Sequence, residues 1–196
     1  ASHILTSFGS VVTKAIPIGT VLTLPATASE MNNGAVITNP DKGAKLPFRS
    51  AHCFPLFSIL DPEVTYSLPD RQIANGVADP FVHIIEQYLT YPVNSPIQDG
   101  FAETLMRTLI DLGPKALATP KNYDIRANLM WTATLALNGL IGAGVPQDWS
   151  SHMIGHEITA FNDTDHARTL AVVLPSLMND QRGPKREKLL QYAANV

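Results

Sequence analysis

The chain has a single cysteine, Cys53, which excludes an internal disulfide and fits a reducing compartment. Its neighbours Phe54, Leu56 and Phe57 are apolar and predict an inert, buried thiol. There is no excess of positive charge: 14 Lys and Arg stand against 17 Asp and Glu, for a net charge of -3. The electrostatic footprint of a nucleic-acid binder is therefore absent. No apolar run approaches the roughly 18 residues of a membrane span. Nor does a basic segment precede an apolar one as in a secretory leader, so the expected location is the cytoplasm. The H-E-x-x-H pattern is missing, because Glu157 follows the second histidine of its pair; a zincin-type protease is set aside. Internal repeats and low-complexity tracts are also lacking.

What remains is an ordinary globular composition, 45% hydrophobic and 16% charged over 196 residues. That is enough for one domain, or parts of two, with a real core. The chain begins at Ala1 rather than Met and stops at Val196 inside the helical pattern KREKLLQYAANV, without a C-cap signal. It is expected to be an internal piece of a longer protein.

The first third carries the strand signals. IPIGTVLTL at 16–24 reads as a buried strand and runs into the small-residue turn PATASE; GAVIT at 34–38 and LFSIL at 56–60 read as two more. NPDKG at 39–43 is a turn. From about Leu68 onward the pattern is helical. Pro69 to Ala78 suits a short helix, and Pro80 predicts a fresh start with Asp79 as N-cap and proline at the first helical position. Ser95-Pro96 repeats that signature, and Gly113-Pro114 is expected to end the helix it opens. Asn122 to about Leu140, apolar nearly all round, predicts a central buried helix. Another is expected from Trp149 to Ala160, and His166 opens a further one that Pro175 should kink or end. The expected organisation is residues 1–68 as the C-terminal part of a dinucleotide-binding α/β unit and residues 69–196 as a helical metal-binding unit.

The chemistry-bearing residues concentrate in two places. SHMIGHEITAFNDTDHA at 151–167 holds His152, His156 and His166, and VADPFVHIIEQY upstream holds Asp79 and His83. On a helix, Asp79 and His83 project from one face a turn apart, as do His152 and His156. One carboxylate and several imidazoles suit Zn²⁺, Fe²⁺ or Ni²⁺ rather than Mg²⁺ or Ca²⁺. Each residue also has a plainer reading: Asp79 as an N-cap, His83 as a satisfied core residue, the H-x3-H pair as chance, His166 as surface.

Taken with TLPATASEMNNGAVIT at 23–38, ILDPEVTYSLPDRQIANGVADPFVHIIEQY at 59–88 and NGLIGAGVPQDW at 138–149, these stretches resemble the iron-containing (group III) alcohol dehydrogenases. The likeness is to the branch of NADPH-dependent butanol dehydrogenases and aldehyde reductases. The resemblance implies an incomplete α/β nucleotide-binding part followed by an all-α metal-binding domain, in the dehydroquinate synthase-like architecture. It implies Asp79, His83, His152 and His166 as metal ligands, with His156 as a proton relay near the substrate. Thr23, Thr27 and Asn32 fall on positions lining the nucleotide phosphates and nicotinamide ribose, and Lys45 on a lysine that reaches the cofactor. Hydroxyls and free backbone N–H groups in the PATASE turn suit phosphate; by itself it reads as a turn. The implied cofactors are Fe²⁺ or Zn²⁺ and NADP(H) rather than NAD(H), the substrate a small alcohol or aldehyde, and the assembly a homodimer, without nucleic acid or membrane. Two departures stand out: Pro80 replaces a small residue, and the family's Gly-rich dinucleotide loop is not in this sequence. Glycerol dehydrogenase or dehydroquinate synthase chemistry on the same architecture is an alternative, as are a non-catalytic fragment of the fold and a helical domain without metal.

Overall fold

The computed structural model describes residues 2–196. A short helix α1 (Ser2–Thr6) precedes strands β1 (Gly19–Val21), β2 (Gly34–Asn39), β3 (Ala44–Arg49) and β4 (Phe57–Ile59). Six helices follow: α2 (Asp70–Tyr88), α3 (Pro96–Ala118), α4 (Tyr123–Leu137), α5 (Ser150–Asn162), α6 (His166–Asp180) and α7 (Arg186–Asn195). An α/β part leading into an all-helical one agrees with the expected fold class.

The strands form two separate pairs. β1 and β4 run parallel, with Gly19 opposite Phe57 and Val21 opposite Ile59; the strand predicted over 16–24 narrows to three residues. β2 and β3 make an antiparallel hairpin, from Gly34 opposite Arg49 to Asn39 opposite Ala44. The turn between them takes αL geometry at Gly43, where φ is 54°. β3 is not expected from the sequence, since Pro47 interrupts AKLPFR. A two-stranded ribbon has only edge strands, where a proline is tolerated.

Prolines were also misleading in the helical part. Pro80, Pro114 and Pro175 all lie inside continuous helices. Asp79 is therefore an interior residue of α2, not an N-cap, and α3 runs through Gly113-Pro114 to Ala118. Each proline forfeits one backbone hydrogen bond at a cost of roughly 3 kcal/mol. Burial of the surrounding apolar face offsets this, at about 1.5–3 kcal/mol per large aliphatic side chain. Ile84, Ile85, Met106, Leu109 and Leu170 are almost entirely enclosed, and all the residues of the main core cluster lie between Ile73 and Leu174. α4 starts as expected, the Asn122 side chain accepting a hydrogen bond from the Ile125 N–H at 3.1 Å. It is not buried all round, because Tyr123 and Trp131 are half exposed.

Among the described residues before Leu68, Leu22 and Ala28 are the buried aliphatic ones. Cys53 is only half-buried, and Phe54, Leu56 and Phe57 face outward. The enclosed thiol predicted there is not formed, because Phe54 and Leu56 ahead of β4 and Phe57 at its start are exposed and leave no apolar cover over it. The strand part meets α2 where the PATASE turn crosses Gly76: a Cβ there would lie 2.6 Å from the Pro25 carbonyl oxygen, so only glycine permits the approach. No described helix is long and apolar enough to cross a membrane.

Candidate metal centre

α2, α5 and α6 bring the two sequence stretches together. α2 supplies Asp79 and His83 one turn apart, and the Asp79 side chain points into the protein, as does that of His83. α5 crosses α6 closely at Gly155, where a Cβ would stand 2.9 Å from Leu170 Cδ2 and 3.0 Å from Thr169 Oγ1. The Thr169 hydroxyl donates to the Gly155 carbonyl at 3.2 Å and to that of His166 at 2.7 Å. This crossing puts His152 and His156 beside His166. Asp165, at the start of α6, ties to Arg71 of α2 at 3.4 Å and receives the Asn75 amide at 3.5 Å, which sets His166 over α2.

Three imidazoles converge on one carboxylate oxygen. Asp79 Oδ1 lies 3.5 Å from His83 Nε2, 3.5 Å from His152 Nε2 and 3.9 Å from His166 Nε2. Asp79, His152 and His166 offer ligand atoms all within 4.8 Å of one another. The His83 ring stacks on His152 at 4.5 Å, and the His156 ring lies 4.9 Å from that of His166. Trp149 closes the edge of the cluster, 5.4 Å from His152.

The electrostatics match the crowding. Burial opposes ionisation of Asp79, yet the imidazoles of His83, His166 and His152 outweigh it and hold the carboxyl below its usual 3.8. Burial, reinforced by the neighbouring imidazoles, depresses His83 to about 4 and His166 to about 3, against the pull of Asp79. His156 falls to about 4 through burial and the nearby Lys45. His152 differs: burial lowers it, but the nearby carboxylates of Asp79 and Glu86 prevail and push it up to about 9. Lys45 is lowered by burial, partly opposed by Asp79.

Asp79 Oδ1, His152 Nε2 and the Nδ1 atoms of His83, His156 and His166 are buried without a hydrogen-bond partner. Interiors seldom tolerate so many orphaned polar atoms in one place, each costing about 1–3 kcal/mol. A divalent cation would satisfy two of them at once, Asp79 Oδ1 and His152 Nε2, which face each other across 3.5 Å. The donor set, one carboxylate oxygen and imidazole nitrogens, fits a borderline transition-metal ion.

Asp79, His83, His152, His156 and His166 are thus gathered in one place. Lys45, half-buried on β3, lies close enough to act electrostatically on Asp79, His156 and His166. Thr23 and Thr27 are exposed on the turn after β1. Asn32 is occupied in bracing that turn: its amide donates to the Thr27 carbonyl at 2.9 Å and the Leu137 carbonyl at 3.3 Å, and its oxygen accepts the Gly34 N–H at 3.1 Å. Glu86 escaped the sequence reading. A buried acid one turn beyond His83, in an otherwise apolar stretch, was the available signal.

The chain is similar along its length to known proteins. The profile of the Fe-containing alcohol dehydrogenase family, C-terminal, matches residues 73–196, and that of iron-containing alcohol dehydrogenase matches residues 2–62. It is 62% identical over 194 residues to the NADPH-dependent aldehyde reductase YqhD of Escherichia coli, covering 99% of this chain and 50% of that protein. It is 41% identical over 189 residues to the NADH-dependent butanol dehydrogenase B of Clostridium acetobutylicum, covering 96% and 48%. The crystal structure of E. coli YqhD superposes with a TM-score of 0.98 at 61% identity, over 99% of this chain and 50% of that one. That of NADH-dependent butanol dehydrogenase A from Thermotoga maritima gives 0.93 at 34%, over 98% and 48%. The chain spans about half the length of the curated relatives it matches. On these matches and this fold, it belongs to the iron-containing alcohol dehydrogenase family.

Proposed function

We propose that the chain forms the metal-binding half of an NAD(P)-dependent alcohol dehydrogenase or aldehyde reductase, with Asp79, His83, His152 and His166 as ligands of one Fe²⁺ or Zn²⁺ ion. The observation that carries this is the convergence of three imidazoles on the single buried oxygen Asp79 Oδ1. Residues 1–68 would complete part of a dinucleotide cleft and residues 69–196 the metal-binding unit. The PATASE turn, with Thr23 and Thr27 exposed, would face the dinucleotide, Asn32 holding its shape. The similarity to an NADPH-dependent aldehyde reductase supports NADP(H). The family resemblance supports a small alcohol or aldehyde substrate, a homodimer and a cytoplasmic location.

When bound, the ion supplies Lewis-acid polarisation of the substrate oxygen, while the dinucleotide supplies the hydride that adds to the carbonyl carbon. The chain's own residues do the rest. Asp79 sets one negative charge beside His83 and His166, whose imidazoles are held neutral at pH 7 and keep a lone pair for a cation. Buried His156 is held neutral at pH 7, so it carries one N–H and one lone pair. It can pass the alcohol proton between substrate and solvent. Lys45 lends a positive charge beside the same pocket.

Metal content by elemental analysis tests the reading. Wild-type chain reconstituted with Fe²⁺ or Zn²⁺ should hold about one ion, as a single closed donor set allows. A His152→Ala/His166→Ala variant should hold less than about a tenth of that, through loss of two ligands. Equal content in both proteins, or none in the wild type, rejects it.

A further inference from the structure

Glu86 lies two turns beyond Asp79 on α2 and is buried. Its Oε1 accepts the backbone N–H groups of Ser151 and of His152, the latter at 3.2 Å. Those are first-turn donors of α5, whose N-cap residue Trp149 provides no side-chain cap. Its Oε2 contacts His152 Nδ1, and its backbone carbonyl accepts the Asp148 N–H at 2.8 Å. One carboxylate thus caps α5 from another helix and grips the ring of a residue on it.

The grip is selective. His83, His156 and His166 have Nδ1 atoms without a hydrogen-bond partner, whereas the Nδ1 of His152 is held and its Nε2 faces Asp79. A carboxylate acceptor on Nδ1 places the proton there and leaves the Nε2 lone pair for a ligand bond.

We propose that Glu86 is the positioning residue of the centre: it fixes His152 with Nδ1 protonated and Nε2 aimed at the ion, and it makes that aim rigid by capping the helix that carries the ring. This rests on the metal reading above. His152 is then the pre-set ligand of the group, the only one of these imidazoles whose Nδ1 is held by a carboxylate.

Glu86→Gln and Glu86→Ala, made in the full chain, separate aiming from capping. Gln keeps an oxygen for the two backbone N–H groups but offers an N–H to Nδ1, which drives the ring proton onto Nε2. Zn²⁺ affinity, measured by competition with a chelator, should fall about 10–100-fold in both variants. Melting of the metal-free protein should fall in the Ala variant and stay near wild type in the Gln variant. Wild-type Zn²⁺ affinity in the Gln variant overturns the proposal while leaving the metal reading intact. No Zn²⁺ binding by the wild type overturns both. Should either variant fail to fold, ¹⁵N-histidine spectra of the zinc-loaded wild type decide: His152 bound through Nε2 with a slowly exchanging Nδ1–H supports the proposal, and binding through Nδ1 overturns it.

Discussion

The helical part of this chain encloses a core of apolar side chains, and the strand-bearing part leaves most of its own exposed. In the helices, Ile84, Met106, Leu109 and Leu170 are enclosed to within about 1% of full burial. In the strand part, Ile16, Val21, Leu56, Phe57 and Ile59 are each more than half exposed. The residues proposed to hold the ion all belong to the enclosed part, so ligand placement borrows the stiffness of a packed core. The strand part is tied to that core by a few polar contacts. Thr134 donates to Glu30 at 2.5 Å, Arg126 to Thr65 Oγ1 at 2.9 Å and Asn32 to the Leu137 carbonyl. Precision is concentrated on one side and attachment on the other.

The contrast can be broken by cutting equivalent side chains. Leu109→Ala should cost about 2–5 kcal/mol, the range for a leucine removed from a closed core, whereas Leu56→Ala should stay within about 0.5 kcal/mol. Urea denaturation of the two variants measures both, and similar costs would mean that the strand part has a hidden core of its own. Gly76→Ala probes the seam. Its new methyl meets a backbone carbonyl, so a loss of about 1–3 kcal/mol is expected. Proteolysis of residues before Leu68 should quicken more than proteolysis of α3; uniform quickening would contradict the idea of a local seam.

The smallest effect expected is pH-dependent and confined to the helical part. Burial raises the Glu103 carboxyl, but hydrogen bonds from Asn195, Tyr88 and Gln191 outweigh it and leave the group below its ordinary 4.5. A depressed acid contributes stability above its unfolded value, and that contribution disappears as pH falls through the folded one. Unfolding midpoints measured downward from about pH 5 should therefore fall less steeply in Glu103→Gln than in wild type. Identical slopes would remove Glu103 from the account of how α7 is held to α3.

Much of this was legible in the sequence, for reasons that differ between features. The i, i+4 spacings of Asp79 with His83 and of His152 with His156 survive folding because both lie on helices, where spacing is geometry. The meeting of α2 with α5 and α6 has no local signature; it was anticipated from the complementary ligand types of the two stretches and from the family resemblance. The prolines misled because local propensity was weighed without tertiary burial: Pro80 is interior to α2, so Asp79 sits mid-helix instead of starting one. β3 was hidden by Pro47. Glu86 was in plain view, but its role depends on α5 arriving beside it, which no pattern within α2 encodes.

The order of the proposed ligands along the chain carries a consequence for synthesis. Asp79 and His83 leave the ribosome early, on a helix that cannot by itself enclose an ion. His152 and His166 emerge only after α3 and α4 have been made. On the proposed ligand set, a growing chain cannot complete the donor set until His166 of α6 is out, so ion capture follows the synthesis of α2 to α5. A chain that stalls just before His166 would carry three of the four proposed ligands and lack the one that completes the set.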